Sequence, residues 1–452
     1  MSSERRRETP ADATGPVTGT LAVRRVGMIW LAANLVVTTL LTGTLFVPGI
    51  DYGGALLMIV IGTLAGVAVL AAVGNIGTRT GLPTMALTRG AFGTRGSLLP
   101  LAANVFVLMG WSWVQAMLAG VTVDALVAQL TGFSNPVLFS VLCQAIVVVL
   151  AIFGHEGIAR VEPWLAVLML IVIGWMFAQA FTAFPPADYF ALEPTGELTH
   201  VFVLDMVIAT AISWTVLSAD VNRLARTSRA GVVGSVAGYA TSTIVSMSLG
   251  ATAFAYILLS GGDGAPFDPT ALVTAFGAPI AVVIFISVMA TNTMVVYGMT
   301  TSVMNSLPGW QPRFLPTALI LGAFSIAGST WLALLDQFTT FLTVIGAFFV
   351  PVFAIMIVDY YVIRRGSYNA DILRSSGGRY WFAKGVNPIA IIAWVVGALV
   401  SYLLTYVWPS PIGATAAAFA VTFAVYLVPM LPVRRRARAE RSVHLAEQSL
   451  EG

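Results

Sequence analysis

Charged residues are scarce in this sequence. Lysine, arginine, aspartate and glutamate make up only 10% of the 452 residues, while 58% are hydrophobic and the mean hydropathy is +0.88. A soluble globular domain has about 25% charged and about 45–50% apolar residues. The chain lacks the polar groups that would cover a surface in water. The composition therefore excludes an ordinary soluble protein and indicates a membrane protein whose surface faces lipid.

Three further absences narrow the possible functions. The chain has one cysteine, Cys143, so no disulfide can form within it. It has no Gly-Lys-Ser or Gly-Lys-Thr loop, which excludes ATP-driven transport by this chain itself. Its histidines, His155, His200 and His444, belong to no acid–base pair or metal-ligand cluster in an apolar segment. We therefore expect no enzyme and no cofactor, and a membrane enzyme or channel is a remote alternative.

Long apolar runs fill most of the chain. A helix needs roughly 20 mostly apolar residues to cross about 30 Å of hydrocarbon. The runs between polar or Gly/Pro breaks predict an all-α membrane protein with 12 transmembrane helices. The predicted spans are 26–47, 54–74, 98–122, 136–153, 163–183, 201–218, 231–259, 277–301, 314–334, 338–362, 388–407 and 411–431.

The basic residues predict the orientation of these spans. All 23 lysines and arginines fall on one side of the twelve-span arrangement, and the opposite loops carry aspartates and glutamates such as Asp51 and Asp263. Cytoplasmic loops of membrane proteins have an excess of Lys and Arg. We therefore expect a multi-pass protein of the plasma membrane with both termini in the cytoplasm.

The same pattern divides the chain into three parts. Residues 1–20 are predicted to be a disordered cytoplasmic tail, 21–431 the transmembrane domain, and 432–452 a basic cytoplasmic tail. The arginines between 434 and 441 are typical of a stop signal that contacts anionic lipid. We expect no nucleic acid partner, and the sequence leaves the oligomeric state open, with a monomer compatible with it.

The middles of the predicted spans are almost free of charge. A charged group inside the bilayer is costly and would mark a proton relay or an ion path. Acidic residues such as Asp124, Asp205 and Asp359 instead lie near predicted span ends. This distribution argues against a charged substrate held by an ion pair.

Aromatic and amide side chains occupy the middles of several spans instead. Trp111 and Gln115 are four residues apart in the third span and so share a helix face. An indole ring stacks on a flat ligand, and a primary amide both donates and accepts hydrogen bonds. Alternatively, Trp anchors helices at the interface, and Ser, Thr and Asn bond between helices. The predicted substrate-binding residues are Trp111, Gln115, Ser213, Trp214, Asn34 and Asn292.

Several short stretches have a familiar order and spacing. The loop after the second span reads Gly74-Asn75-Ile76-Gly77-Thr78-Arg79-Thr80-Gly81-Leu82 and continues through Arg89, Phe92-Gly93 and Gly96-Ser97. Later stretches are Gly110-Trp111, Ser218-Ala219-Asp220 with Arg223, Thr291-Asn292 with Tyr297, and Asp359-Tyr360 with Arg364-Arg365. Spread over about residues 25–430, they resemble the nucleobase:cation symporter-1 (purine–cytosine permease) family, its bacterial cytosine permeases in particular.

The resemblance implies a specific architecture. It is a LeuT-like fold with two inverted repeats of five helices, about 26–183 and 201–362, and two extra helices at about 388–431. Spans one and six would be broken in mid-membrane, with the substrate between them and spans three and eight. Span one has no glycine between Trp30 and Leu41, where this break is expected.

The resemblance also implies roles for individual residues. Trp111 matches the position that stacks on the base, and Gln115 and Trp214 match the amide and the second Trp of some members. Unwound carbonyls and hydroxyls can hold Na⁺ without a formal charge. The implied sodium ligands are Ala33, Val36, Ala290, Thr291 and Thr293.

The function implied by the resemblance is secondary symport. We expect import of a neutral planar nucleobase, with cytosine as the first candidate, coupled to Na⁺. A purine, uracil, hydantoin or allantoin, thiamine or a pyridoxine-like vitamin, and coupling to H⁺, remain open alternatives. The expected partners are this small molecule and the lipid bilayer.

Overall fold

The computed structural model describes residues 16–153, 155–307 and 312–450, and their regular structure is helical with no β-strand. The first nine helices are α1 (Val23–Asn34), α2 (Val37–Thr44), α3 (Tyr52–Thr80), α4 (Thr84–Leu87), α5 (Arg89–Phe92), α6 (Leu98–Thr131), α7 (Pro136–Phe153), α8 (His155–Ala183) and α9 (Pro186–Phe190). The remaining helices are α10 (His200–Thr215), α11 (Ser218–Asn222), α12 (Ser228–Leu259), α13 (Pro269–Phe276), α14 (Ala278–Ser306), α15 (Phe314–Gly328), α16 (Phe338–Ile357), α17 (Pro388–Tyr402) and α18 (Ala414–Leu450). Short π-helical segments, Val358–Ile363 and Leu403–Val407, extend α16 and α17.

The helices follow the predicted spans closely. Within the described residues, 9 helices are long and apolar enough to cross a membrane, and α1 with α2 forms a bent tenth candidate. The two other predicted spans coincide with α10 and α15, which have 16 and 15 residues. A straight crossing needs roughly 20. The prediction of an all-α, multi-span membrane protein is confirmed, and the count of twelve stays a prediction.

The first predicted span is broken without a glycine. The axes of α1 and α2 differ by 57°. At the break Leu35 has φ −82° and ψ 65°, and Val36 is extended with φ −128° and ψ 156°. Both φ values are negative, so ordinary side chains adopt this backbone and glycine is not required. The sixth predicted span is also interrupted, because α10 ends at Thr215 and α11 starts at Ser218.

Two groups of helices pack mainly within themselves. The first group contains α1, α2, α3, α10 and α12, and the second contains α6, α7, α14 and α15. Glycines bring the backbones of α2 and α12 together, since a Cβ on Gly43 would meet the backbone of Met247 and one on Gly250 that of Leu40. Small residues allow this close approach between membrane helices. In the second group Cys143 of α7 is buried, with 4% of its surface exposed.

The structure describes part of each predicted tail. Residues 16–20 are not free of the domain. The N–H of Val17 donates to the carbonyl of Gly81 at 3.0 Å, and the N–H groups of Thr20 and Leu21 donate to Leu224 at 2.9 and 2.8 Å. Residues 1–15 lie outside the described part of the chain. At the other end α18 continues beyond the predicted span end at 431 to Leu450, and residues 451–452 again lie outside the described part.

Candidate functional site

A cavity lies where the two helix groups face each other. It contains about 480 Å³ of space not filled by atoms, including space open to solvent. In the first group, the lining residues are Thr38, Thr39 and Thr42 of α2 and Thr210, Ser213 and Trp214 of α10; Leu217, just after α10, also lines the cavity. In the second group, they are Leu108, Trp111 and Gln115 of α6 and Thr291 and Val295 of α14.

Among the described residues, the cavity wall carries no formal charge. Each of its lining residues is a hydroxyl, amide, indole or aliphatic side chain. Moving an isolated ion from water into such surroundings without a counter-charge is costly. The wall therefore suits an electrically neutral ligand.

The indole ring of Trp111 is held by two phenylalanines of α16. The ring centroids of Phe338 and Phe341 lie 5.7 and 5.6 Å from that of Trp111, at interplanar angles of 71° and 75°. Edge-to-face contacts of this kind are favourable and directional. Phe338 in turn stacks on Phe267 at 3.8 Å. The orientation of Trp111 in the cavity is thus fixed by a packed aromatic cluster.

The second indole of the cavity, Trp214, rests against Trp30. Their ring centroids are 6.5 Å apart with an interplanar angle of 77°. Trp30 is buried, and its indole N–H donates to Oδ1 of Asn222 at 2.8 Å. The sequence analysis gave Trp30 no role. Its sequence position gave little signal, because Trp30 is only four residues from the predicted start of the first span at 26, where a Trp is usually an interfacial anchor.

Gln115 is buried in the wall and keeps one atom unpaired. Its Nε2 donates a long hydrogen bond of 3.4 Å to the carbonyl of Trp111. In the described part of the chain, its buried Oε1 has no hydrogen-bond partner. The structure brings Trp111, Gln115, Ser213 and Trp214 together on the cavity wall, and their role in substrate binding stays a prediction.

Some lining residues were missed by the sequence analysis. Thr42 and Thr210 were not considered, although Thr38 and Thr42, and Thr210 and Trp214, are pairs four residues apart that share a helix face. Threonine is too common in membrane helices as an interhelical bonding residue for this spacing alone to identify a site.

The two predicted asparagines do not line the cavity. Asn34 is fully buried; it donates to Oγ1 of Thr243 at 2.5 Å and accepts from Oγ1 of Thr39 at 3.1 Å. Asn292 is also fully buried, and its Nδ2 donates to the carbonyl of Ser112 at 3.1 Å and to Oε1 of Gln144 at 2.8 Å. Both amides are used to join helices, so the geometry gives neither a contact with a ligand in the cavity.

The predicted sodium ligands lie on both sides of the cavity. Thr291 lines it, whereas Thr293 is fully buried and donates to the carbonyl of Met289 at 2.8 Å. The carbonyl of Val36 accepts the N–H groups of Thr39 and Leu40 at 3.1 and 3.3 Å. Ala33 belongs to the last turn of α1, where carbonyls lack intrahelical partners. Ala290 is buried beside Thr291. This ligand set stays a prediction.

The sequence has clear relatives among transport proteins. The family described as "Permease for cytosine/purines, uracil, thiamine, allantoin" matches residues 20–428. The putative purine-cytosine permease YxlA of Bacillus subtilis is 28% identical over 437 residues, covering 85% of this chain and 91% of the relative. The allantoin permease of the same organism is 25% identical, covering 84% and 83%. The cytosine permease of Escherichia coli (strain K12) is 23% identical, covering 87% and 89%.

Solved structures share the fold. Mhp1, a nucleobase-cation-symport-1 family transporter in a closed conformation with bromovinylhydantoin bound, has a TM-score of 0.73 at 20% identity, and 96% of each chain is covered. Mhp1 in its inward-facing conformation has a TM-score of 0.78 at 19% identity, covering 94% and 93%. A Na⁺-coupled sialic acid symporter has a TM-score of 0.62 at 13% identity, covering 91% and 90%. At these identities the similarity is one of fold.

Proposed function

The chain belongs to the family of permeases for cytosine/purines, uracil, thiamine and allantoin, and on that premise we propose that it imports a neutral planar nitrogen heterocycle, cytosine first among the candidates. Its relatives are permeases and not enzymes. The observation that carries the proposal is the uncharged cavity that holds two indoles and a buried amide between the helix groups. We assign substrate binding to Trp111, Gln115, Ser213 and Trp214.

The chemistry of these side chains matches a flat base. A heterocycle offers a π-face to the indoles of Trp111 and Trp214, and base–aromatic stacking is worth about 1–3 kcal/mol per base. Its polar edge can pair with the unpartnered Oε1 of Gln115 and with nearby hydroxyls. Leaving either partner unpaired in a buried site would cost about 1–3 kcal/mol. Stacking would therefore favour flat ligands in general, and the edge contacts would choose among them.

We further propose coupling to Na⁺. The described residues of the cavity wall include no carboxylate or imidazole that could carry a proton. It does bring oxygen ligands near the break in the first span, where carbonyls at the end of α1 lack helical partners. Hydroxyl and carbonyl oxygens at a discontinuous helix suit Na⁺. Ala33, Val36, Ala290, Thr291 and Thr293 remain the candidate ligands, and H⁺ is the alternative coupling ion.

The transport cycle would move the two helix groups against each other. Because α2 and α10 line one wall and α6 and α14 the other, a relative rotation would open the cavity first to one side and then to the other. The LeuT-like arrangement of two five-helix repeats, two extra helices and cytoplasmic termini is part of this proposal. No bound nucleic acid or cofactor is involved.

Uptake into proteoliposomes tests the proposal directly. Purified full-length protein would be given cytosine, purines, uracil, allantoin, hydantoins, thiamine and a pyridoxine-like vitamin, each with and without an inward Na⁺ gradient. Saturable uptake of cytosine that requires Na⁺ would support the full proposal. Uptake that is unchanged in sodium-free buffer would contradict the proposed coupling to Na⁺. Allantoin or a hydantoin is the second candidate, because one relative is an allantoin permease and one structural neighbour holds bromovinylhydantoin.

A further inference from the structure

Most of the hydroxyl groups that line the cavity donate their proton to the protein itself. Six hydroxyl side chains line it, and five of them donate their proton to an oxygen of the protein. Thr39 donates to Oδ1 of Asn34 at 3.1 Å. The backbone carbonyls of α2, α10 and α14 accept, at 2.6–3.1 Å, from Thr42, Thr210, Ser213 and Thr291. A hydroxyl has one proton and two lone pairs, so each of the five offers a ligand only an acceptor.

The buried amide adds a sixth acceptor. Nε2 of Gln115 faces the carbonyl oxygen of Trp111 at 3.4 Å, and Oε1 is the unpaired atom. Reversing the amide would place Oε1 beside that carbonyl, which would bring two acceptors together without a proton between them. The orientation with Nε2 toward that carbonyl is therefore the favourable one, and it leaves Oε1 as the buried acceptor without a partner.

Donors are fewer on this wall. Among the described residues, the lining groups with a proton not given to the protein are the hydroxyl of Thr38, the indole N–H groups of Trp111 and Trp214, and the second N–H of the Gln115 amide. Six acceptors thus stand against four possible donors. A ligand carbonyl or ring nitrogen that met one of the acceptor oxygens would lose its hydrogen bond to water and gain none.

From this asymmetry we infer that the cavity selects its heterocycle by the hydrogen-bond donors on the ring edge. Amino and ring N–H groups are the features it recognises, and carbonyl oxygens and bare ring nitrogens contribute less. This inference rests on the proposed function and narrows it to donor-rich neutral heterocycles. Both cytosine and allantoin carry such groups, so the inference applies to either candidate.

Matched ligand pairs test the inference on the purified full-length protein. One analogue of cytosine replaces the exocyclic amino group by a methyl group of similar size, which deletes donors. A second replaces the unprotonated ring nitrogen by C–H, which deletes an acceptor. Adenine with its amino-to-methyl analogue is a second donor pair. Binding would be followed by tryptophan fluorescence. We expect donor deletion to weaken binding by about tenfold or more and acceptor deletion by less than about threefold.

Variants of the wall identify the oxygens that receive these donors. Thr210→Val and Thr291→Val each remove one acceptor at nearly constant volume, and Gln115→Leu removes the unpaired Oε1. At least one of these variants should weaken the binding of cytosine by about tenfold while changing the affinity for its methyl analogue by less than about twofold. The matched control is Thr300→Val, because Thr300 is a buried threonine of the same α14 that donates to its own helix at 2.9 Å but does not line the cavity.

The outcomes distinguish a failure of donor selection from a failure of the proposed permease function. If acceptor deletion costs as much as donor deletion, or if all three variants weaken both ligands equally, donor selection is wrong and the permease function stands. If no heterocycle binds to folded protein, the proposed function fails and the inference fails with it. Binding of cytosine with the donor preference, lost in a wall variant and kept in Thr300→Val, supports both.

Discussion

Ser112 and Asn292 are joined by two hydrogen bonds. Asn292 donates through Nδ2 to the carbonyl of Ser112 at 3.1 Å, and Oγ of Ser112 donates to Oδ1 of Asn292 at 2.7 Å. Gln144 adds a bond to each, at 3.0 and 2.8 Å. Because Ser112 directly follows Trp111 and Asn292 directly follows Thr291, this network fixes the rotation of α6 and α14. We therefore expect Asn292 to position residues of the cavity wall, and its predicted contact with the substrate stays untested.

Replacing Asn292 tests this positioning role. Asn292→Leu would leave the buried Oε1 of Gln144 without its donor, at a cost of about 1–3 kcal/mol. We expect a lower melting temperature in detergent and weaker uptake, with the order of preference among heterocycles unchanged. Gln144→Leu, which lies outside the cavity wall, should behave alike. A change of substrate preference at normal thermal stability would instead make Asn292 a ligand-contacting residue.

Trp111 is expected to be required for binding. Trp111→Ala should abolish saturable uptake while leaving membrane insertion intact, since it removes the stacking surface of the cavity, and Trp111→Phe should retain part of it. Trp113→Phe is the matched control: that indole donates to the carbonyl of Phe324 at 3.3 Å and does not line the cavity. Initial uptake rates against substrate concentration give the comparison. Normal kinetics in Trp111→Ala would place the site elsewhere.

Trp30 is expected to act on the ligand through Trp214. Trp30→Phe deletes the hydrogen bond to Asn222 and shortens the edge that contacts Trp214. We expect KM to rise by several-fold, about the effect of one weakened contact of roughly 1 kcal/mol, with kcat less affected. Uptake rates measured over a range of substrate concentrations give KM and kcat separately. If only the melting temperature falls and KM is unchanged, Trp30 has a purely structural role.

The contact between α2 and α12 is expected to tolerate no added methyl group. Gly250→Ala would push a Cβ into the backbone of Leu40, and such overpacking costs about 1–3 kcal/mol. Gly174→Ala in α8 is the control, because a Cβ there meets nothing within 4 Å. In the same detergent, the melting temperature should fall for Gly250→Ala and change little for Gly174→Ala. Equal melting temperatures would contradict the tight packing.

Asp51 is expected to stabilise the start of α3 in its charged form. The N–H of Gly54 donates to Oδ2 at 2.6 Å, and this bond, together with His200 at 2.8 Å from Oδ1, holds the pKa of Asp51 below its usual value of 3.8 despite partial burial. The charged form favours the folded state, so its contribution is full above pH 3.8 and is lost as pH falls through the lower folded-state pKa.

The variant Asp51→Asn measures this contribution. The wild type should melt higher than the variant at neutral pH, and the difference should shrink only in strong acid, below the ordinary range of an aspartate. Melting curves of both proteins across the same pH series give the result. A difference that is constant down to the most acidic point would mean that the carboxylate charge is not involved.

The span pattern could be predicted because lipid imposes it on every residue of a helix. Runs such as 54–74 are apolar along almost their whole length, and arginines such as Arg79 follow their ends. The grouping of Trp111 with Gln115 followed from helical spacing alone. What the sequence does not reveal is which neighbour a polar face meets.

The asparagines illustrate that limit. Asn34 bonds to Thr243, 209 positions away, and Asn292 bonds to Ser112, 180 positions away. An amide in an apolar helix has the same sequence signature whether it faces a ligand or another helix. Thr42 and Thr210 are the opposite case, because they line the cavity but were not predicted to. In the sequence, a threonine that lines a cavity cannot be distinguished from one that packs between helices.

The buried position of Cys143 has a practical consequence. The chain's single thiol lies inside α7, almost closed to water-soluble maleimides. A cysteine introduced into any loop would therefore be the one that reacts, without first engineering a thiol-free background. Labelling intact cells and inverted vesicles in parallel would then map each loop to its side of the bilayer.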